Sequence, residues 1–271
     1  MRKYCLYIGI LLLLISVALP AKAQRFVGFA SAGVNLGQIE GDDVHGFRKV
    51  GVNGGLGVAL PLTRDHKWSL SLELLYAQKG SYKHYSPKFS RCFDTIFYHP
   101  DMFLDVNRAI PFDSTMKCNI SLDYVQIPLL AHYEDMQSGF KFGLGFAWGR
   151  LVRAKEIYNG FTRTTNIRSG TYRKSDWSVI VDVEARLYKN LSLDVRWEYS
   201  MVPIRTMHYM TGRTESDGSF NLIRDEYIKM HNHVFSIRLS YFFNEKYELN
   251  DHVNRKGNRM GTKWIKYIPE Y

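Results

Sequence analysis

Four groups of residues in this 271-residue chain have types and spacings that could do chemistry. His231-Asn232-His233 is followed by Ser236, with His208 and Glu226 upstream, which could supply a base, a nucleophile and an acid. In an extended segment, however, His231 and His233 have one parity and Ser236 the other, so base and nucleophile would leave opposite faces of a strand. A second group alternates charge with apolar residues: Asp182, Glu184 and Arg186, then Asp194, Arg196 and Glu198, joined on the same parity logic by Glu73, Asp123, Lys141 and Arg238. Shut away from water, such groups would have to pair across neighbouring strands, for example Arg186 with Asp194, and Arg196 with Asp182 or Glu184. They would make either a polar path or a structural plug, and the plug is the expected reading. A third group is the basic stretch with Arg163, Arg168, Arg173 and Lys174, whose guanidinium forks suit anionic lipid. The fourth is Cys92 and Cys118, the two cysteines left if Cys5 is removed with a leader. As a disulfide they would close a loop of about 25 residues, worth roughly 3 kcal/mol in the chain-entropy model; free thiols are the alternative. No Cys/His spacing points to a metal and no glycine motif lies between a strand and a helix, so no catalytic residue, metal or cofactor is expected.

The elements that must position these groups read as strands. Apolar residues recur with a period of two in Val50 to Leu62, Trp68 to Tyr76, Phe140 to Trp148, Trp177 to Leu187, Leu191 to Tyr199 and Phe235 to Tyr241, with a weaker strand from Phe26 to Leu36. The remaining strand, Asn119 to Tyr133, changes phase: Ile120, Leu122 and Tyr124 give way to Val125, Ile127 and Leu129. That predicts a β-bulge near Tyr124. Connections between the eight strands alternate strictly between short (Thr63 to Lys67, Glu134 to Ser138, Lys189-Asn190) and long (Glu40 to Phe47, Tyr82 to Lys117, Lys155 to Lys174, Arg205 to Tyr227). Aromatic residues gather at both ends of the apolar face. Together these predict an all-β fold: an eight-stranded antiparallel up-and-down transmembrane β-barrel with short periplasmic turns and long extracellular loops. An interior of that size is filled by side chains.

The two ends of the chain read differently. Arg2 and Lys3, the apolar run from Ile8 to Pro20 and Ala21-Lys22-Ala23 predict a signal peptide over 1–23, too short in its apolar part to span a bilayer. The barrel is expected over 24–243. The tail 244–271 carries Lys256, Arg259, Lys263, Trp264, Lys266 and Tyr267, a basic and aromatic periplasmic extension suited to a partner protein or the inner leaflet. A formal charge of +10 raises nucleic acid as a ligand, but the charge is spread along the chain without a recognition motif, so none is expected.

The segments AGVNLGQIEGDD, GGLGVALPL, SLELLYAQKGSY, LDYVQIPLLAHY and FGLGFAWG resemble the outer-membrane β-barrel proteins of the Bacteroidetes PorT family. The resemblance spans most of the expected mature chain. It implies residence in the outer membrane of a Gram-negative bacterium and a non-enzymatic structural or accessory role linked to type IX protein secretion. The alternatives are a lipid-modifying enzyme acting at the rim and an envelope barrel that binds lipopolysaccharide.

Overall fold

The structure is a computed structural model that describes residues 26–41, 46–63, 66–84, 117–135, 138–158, 161–163, 167, 170–214, 220–243, 245–253 and 259–267. The expected signal peptide, Cys92 and Arg168 lie outside the described residues, as do the side chains of Cys118 and Arg163.

Alternation of bulky and small or polar residues produces long strands: β1 (Val27–Glu40), β2 (Lys49–Pro61), β3 (Trp68–His84), β4 (Lys117–Asp135), β5 (Phe140–Tyr158), β6 (Phe161–Arg163), β7 (Ser175–Tyr188), β8 (Leu191–Ser200), β9 (Arg205–Thr214), β10 (Phe220–Phe242), β11 (Lys246–Val253) and β12 (Arg259–Tyr267). Eight of them form one closed antiparallel ring in the order β1-β2-β3-β4-β5-β7-β8-β10, and β10 returns to β1 from Phe29↔Phe242 to Glu40↔His231. Closure leaves no barrel edge unpaired, which a spanning sheet needs where lipid offers no hydrogen bonds.

The two faces settle what is inside. Leu56 and Leu144 are 65% and 61% exposed on the outer face, whereas Glu73 and Arg238 are 2% exposed within. A water-soluble sandwich would reverse this. On β5 the outward column runs Phe140, Phe142, Leu144, Phe146 and Trp148, about 20 Å of apolar wall for a strand tilted as barrel strands are. Trp68 against Tyr133 and Tyr241 against Phe243 mark the short-turn rim. Tyr76, Trp148 and Trp177 mark the other.

The bulge forms beside Tyr124 but on the partner strand. Asp123 faces Arg153 and Tyr124 faces Leu151, so Val152 of β5 is the extra residue. β4 keeps one phase throughout: Ile120, Leu122, Tyr124, Gln126, Leu130 and His132 are all buried. Its apolar residues change sides because the barrel lumen is polar at mid-height and apolar near the extracellular end. Two of the expected loops also contain strands. β6 pairs with the top of β5, and β9 pairs with the upper half of β10 from Arg205↔Met230 to Phe220↔Thr214. β8 and β9 thus act as one strand interrupted at 201–204, making with β10 a hairpin that continues past the top of the ring.

Ring closure predicts that Val34→Cys with Ile237→Cys, which are Cα partners, cross-links β1 to β10 under mild oxidation. Val34→Cys with Leu239→Cys, two residues out of register, should not. Mobility on non-reducing gels reads both.

Candidate functional site

The lumen is stacked in layers, each built by cross-strand register. The periplasmic floor is apolar: Val27, Phe29, Ala59 and Phe242 cluster there, and the Phe29 ring lies where a Cβ at Gly57 would fall. Lys141 Nζ and the Arg186 guanidinium stand over the Phe242 ring at 4.9 and 5.2 Å. Above them Lys141 meets Glu184, its partner in register, at 2.8 Å, and Arg186 reaches Glu134 at 3.2 Å and the Ser192 hydroxyl at 2.7 Å.

The middle layer is a shared ion cluster. Glu73 accepts from Arg238 Nη1 at 3.0 Å, from Arg196 Nη1 at 3.2 Å and from the Ser31 hydroxyl. Arg196 Nη2 donates to Asp182 at 3.1 Å, and Arg238 binds Asp194 through both Nε and Nη2. His132 Nε2 lies 3.3 Å from Asp182 Oδ1. Gly143 makes room for this pair, since a Cβ there would run into both. One level up, Lys79 Nζ bonds Glu198 at 2.6 Å and Asp176 at 3.2 Å. Gln126, Ser200 and Asn232 donate to the same two carboxylates.

A lid closes the extracellular end. Ile39, Ile120, Leu122, Tyr124, Leu151, Ala154, Tyr172, Ile204 and Met230 form one buried cluster. The segment before β7 is tied across it by Arg173 N to Ile204 O at 2.7 Å and Leu151 N to Lys174 O at 2.9 Å. On top, Tyr172 donates its hydroxyl to Glu156, which also takes Arg205 Nη1 at 2.8 Å. Burial and the Glu156 carboxylate push the Tyr172 hydroxyl well above its ordinary range, so it remains a donor.

The structure brings together Glu73, Asp182, Glu184, Arg186, Asp194, Arg196, Glu198 and Arg238, with two departures from the expected pairing. Asp194 lies in register with Arg238, which occupies it, while Arg186 faces Ser192 and turns to Glu134. Asp123 does not join the cluster. At the bulge it is buried opposite Arg153, its partner in register, and pairs with the exposed Arg153 side chain through Nε at 3.3 Å. Sequence reading missed Lys79, His132, Glu134 and Asp176. Parity could have found Lys79, six residues beyond Glu73 on the same face, had β3 been followed past Tyr76. Of the basic set, Arg173 and Lys174 are exposed beside the lid.

The serine and histidines stay apart. Ser236 faces the lumen and donates to Asn35 Oδ1 at 2.8 Å. His233 is outside, accepting from Trp197 Nε1 at 2.6 Å, and His231 stacks on Tyr199. The side chains of His208 and Glu226 lie outside the described residues. Among the described residues no group of three His, Cys, Asp or Glu could hold a metal ion.

Removing one partner of a buried pair costs more than the pair itself contributes, because the survivor stays desolvated. Arg238→Met, which leaves Glu73 and Asp194 short of a cation, should cost about 3 kcal/mol, read as a lower unfolding midpoint in detergent. Tyr172→Phe should loosen the lid by about 1 kcal/mol and speed tryptic cleavage after Arg173 and Lys174. The folded hydroxyl titrates above its unfolded value of about 10. Its contribution is therefore complete below that pH, and the wild-type lid should loosen only as pH climbs beyond it.

The family model described as outer membrane protein beta-barrel domain matches residues 23–205, more than half of the chain. No curated protein sequence matches. Among solved structures, Neisserial surface protein A overlaps at a TM-score of 0.41 and 14% identity, covering 81% of this chain and 97% of that one. Ail, the attachment invasion locus protein of Yersinia pestis, overlaps at 0.40 and 12%, covering 81% and 99%. The assignment rests on the family match together with the closed ring and its apolar exterior. The chain belongs to the outer membrane protein beta-barrel domain family and resides in the outer membrane of a Gram-negative bacterium.

Proposed function

We propose that this protein is a closed, non-enzymatic barrel of the PorT type in a Bacteroidetes envelope, acting as a structural or accessory protein linked to type IX secretion. The observation that carries the closed reading is the lumen, filled from the Phe29 and Phe242 floor through the ion layers to the Tyr124 and Met230 lid. Such a barrel conducts little and works through its surfaces. The separation of Ser236 from both histidines argues against a rim enzyme. In this reading residues 1–23 are a removed export signal, 24–243 the barrel and 244–271 a periplasmic docking tail. Cys92 and Cys118 form a disulfide outside the membrane; the backbone of Cys118 pairs with Lys83 and Tyr158 at the extracellular end.

The tail supports a partner. Its backbone forms a two-stranded sheet, β11 with β12, three residues below the barrel, and Leu249 is the Cα partner of Trp264. Two strands alone are marginal in water, so a periplasmic protein, such as a subunit of the secretion machinery, would stabilise them by covering one face or extending one edge.

Reconstituted into a planar bilayer, the protein should give no steady conductance; a stable open current would contradict the closed reading. Pull-down from gently solubilised outer membranes should recover secretion subunits in fixed ratio with the full chain. Deletion of 244–271 should lose them. Recovery of the barrel alone would remove the accessory role.

A further inference from the structure

We propose that the extracellular end of β5, with the segment leading into β7, binds the phosphate groups of an outer-leaflet glycolipid. The inference rests on the orientation of the barrel in the outer membrane and is independent of the secretion role. Trp148 and Trp177 are Cα partners, both half exposed on the lipid-facing wall at the top of its apolar band. One step higher, Arg150 pairs in register with Ser175 and is exposed on the same face. The bulge then turns Val152 and Arg153 outward together, and Arg153 is 64% exposed in its side chain. Arg173 and Lys174 are exposed where the Lys174 carbonyl accepts from Leu151 N. Arg150 thus stands one step above the two indoles on the same wall, with Arg153 beyond it and Arg173 and Lys174 exposed on the segment that enters β7.

The charge of three of the four is not spent among the described residues. Arg150, Arg173 and Lys174 make no ion pair with a described residue, and Arg153 meets Asp123 through Nε. Among the described residues, Glu156 near this end of β5 is engaged by Arg205 and Tyr172. Among the described residues the exposed charge at the top of β5 and before β7 is therefore mainly positive. Planar guanidinium forks match phosphate oxygens, and indoles favour the boundary between acyl chain and headgroup. Below them Phe146, Leu144 and Phe142 continue the apolar column on which acyl chains would lie. The ligand this combination fits carries two or more phosphates directly above several acyl chains. A soluble phosphate would use only the cations, and an acidic protein would not reach the indoles at bilayer level.

The test uses the full barrel in detergent with diphosphoryl lipid A, chemically dephosphorylated lipid A and phosphatidylglycerol as probes, bound lipid being counted by native mass spectrometry. Diphosphoryl lipid A should bind at least about tenfold more tightly than either of the others. The variant R150Q/R153Q/R173Q/K174Q should lose about tenfold, while K189Q, at a periplasmic turn, should lose nothing. Folding is checked by heat-modifiable gel migration. If the fourfold variant fails to fold, R150Q/R173Q, which breaks no ion pair with a described residue, should still lose severalfold. Equal binding of the dephosphorylated lipid, or undiminished binding by folded variants, would overturn the site. So would phosphatidylglycerol binding as tightly as lipid A, which would reduce it to a general anionic surface.

Discussion

A charge enclosed by eight strands has no bulk water to fall back on, and the rest of this molecule is arranged around that constraint. Glu73 is the clearest instance, since it reaches across the lumen to guanidiniums from β8 and β10 and takes a hydroxyl from β1. Each strand that contributes a partner is thereby tied to strands that are not its hydrogen-bonded neighbours. The outer wall can then be almost wholly apolar, because cohesion comes from inside. Burying ions is no free source of stability; the return is uniqueness, since a slip of one residue would carry these charges into lipid.

Much of this was legible in the residues. A period of two gave eight segments, the alternation of short and long connections gave the ring, and aromatic residues at both ends gave its span. What parity alone could not give was partners. Arg186 and Asp194 look matched across a tight turn, yet register sets Asp194 opposite Arg238, and Leu187 bulges between them. Nor could parity show that the lumen changes character with height. Ile120, Leu122 and Tyr124 read as a phase slip because an apolar face was equated with lipid, whereas they line the lid. Asp123 was misplaced by the same equation, and Lys79 and Asp176 were missed because their strands run further than the apolar pattern does.

Function follows from what the interior forgoes. With floor, ion layers and lid all occupied by the chain's own side chains, little of the lumen is left for a solute, so recognition moves to the surfaces. The surfaces we propose for it are the hairpin of β9 and β10 above the ring, the basic rim at the top of β5 and β7, and the paired strands β11 and β12 below. A rigid, closed barrel is a good mount for such surfaces, because its register fixes where each of them emerges.

The measurement that tests this account most directly is a double-mutant cycle between Arg196 and Asp182 in the detergent-folded barrel, using R196M, D182N and their combination. The account predicts a coupling free energy well above about 1 kcal/mol, with the double variant more stable than the sum of the single losses implies. Additive losses would mean that the two groups do not interact in the folded barrel, and the claim that an internal ion cluster holds the strands together would fail.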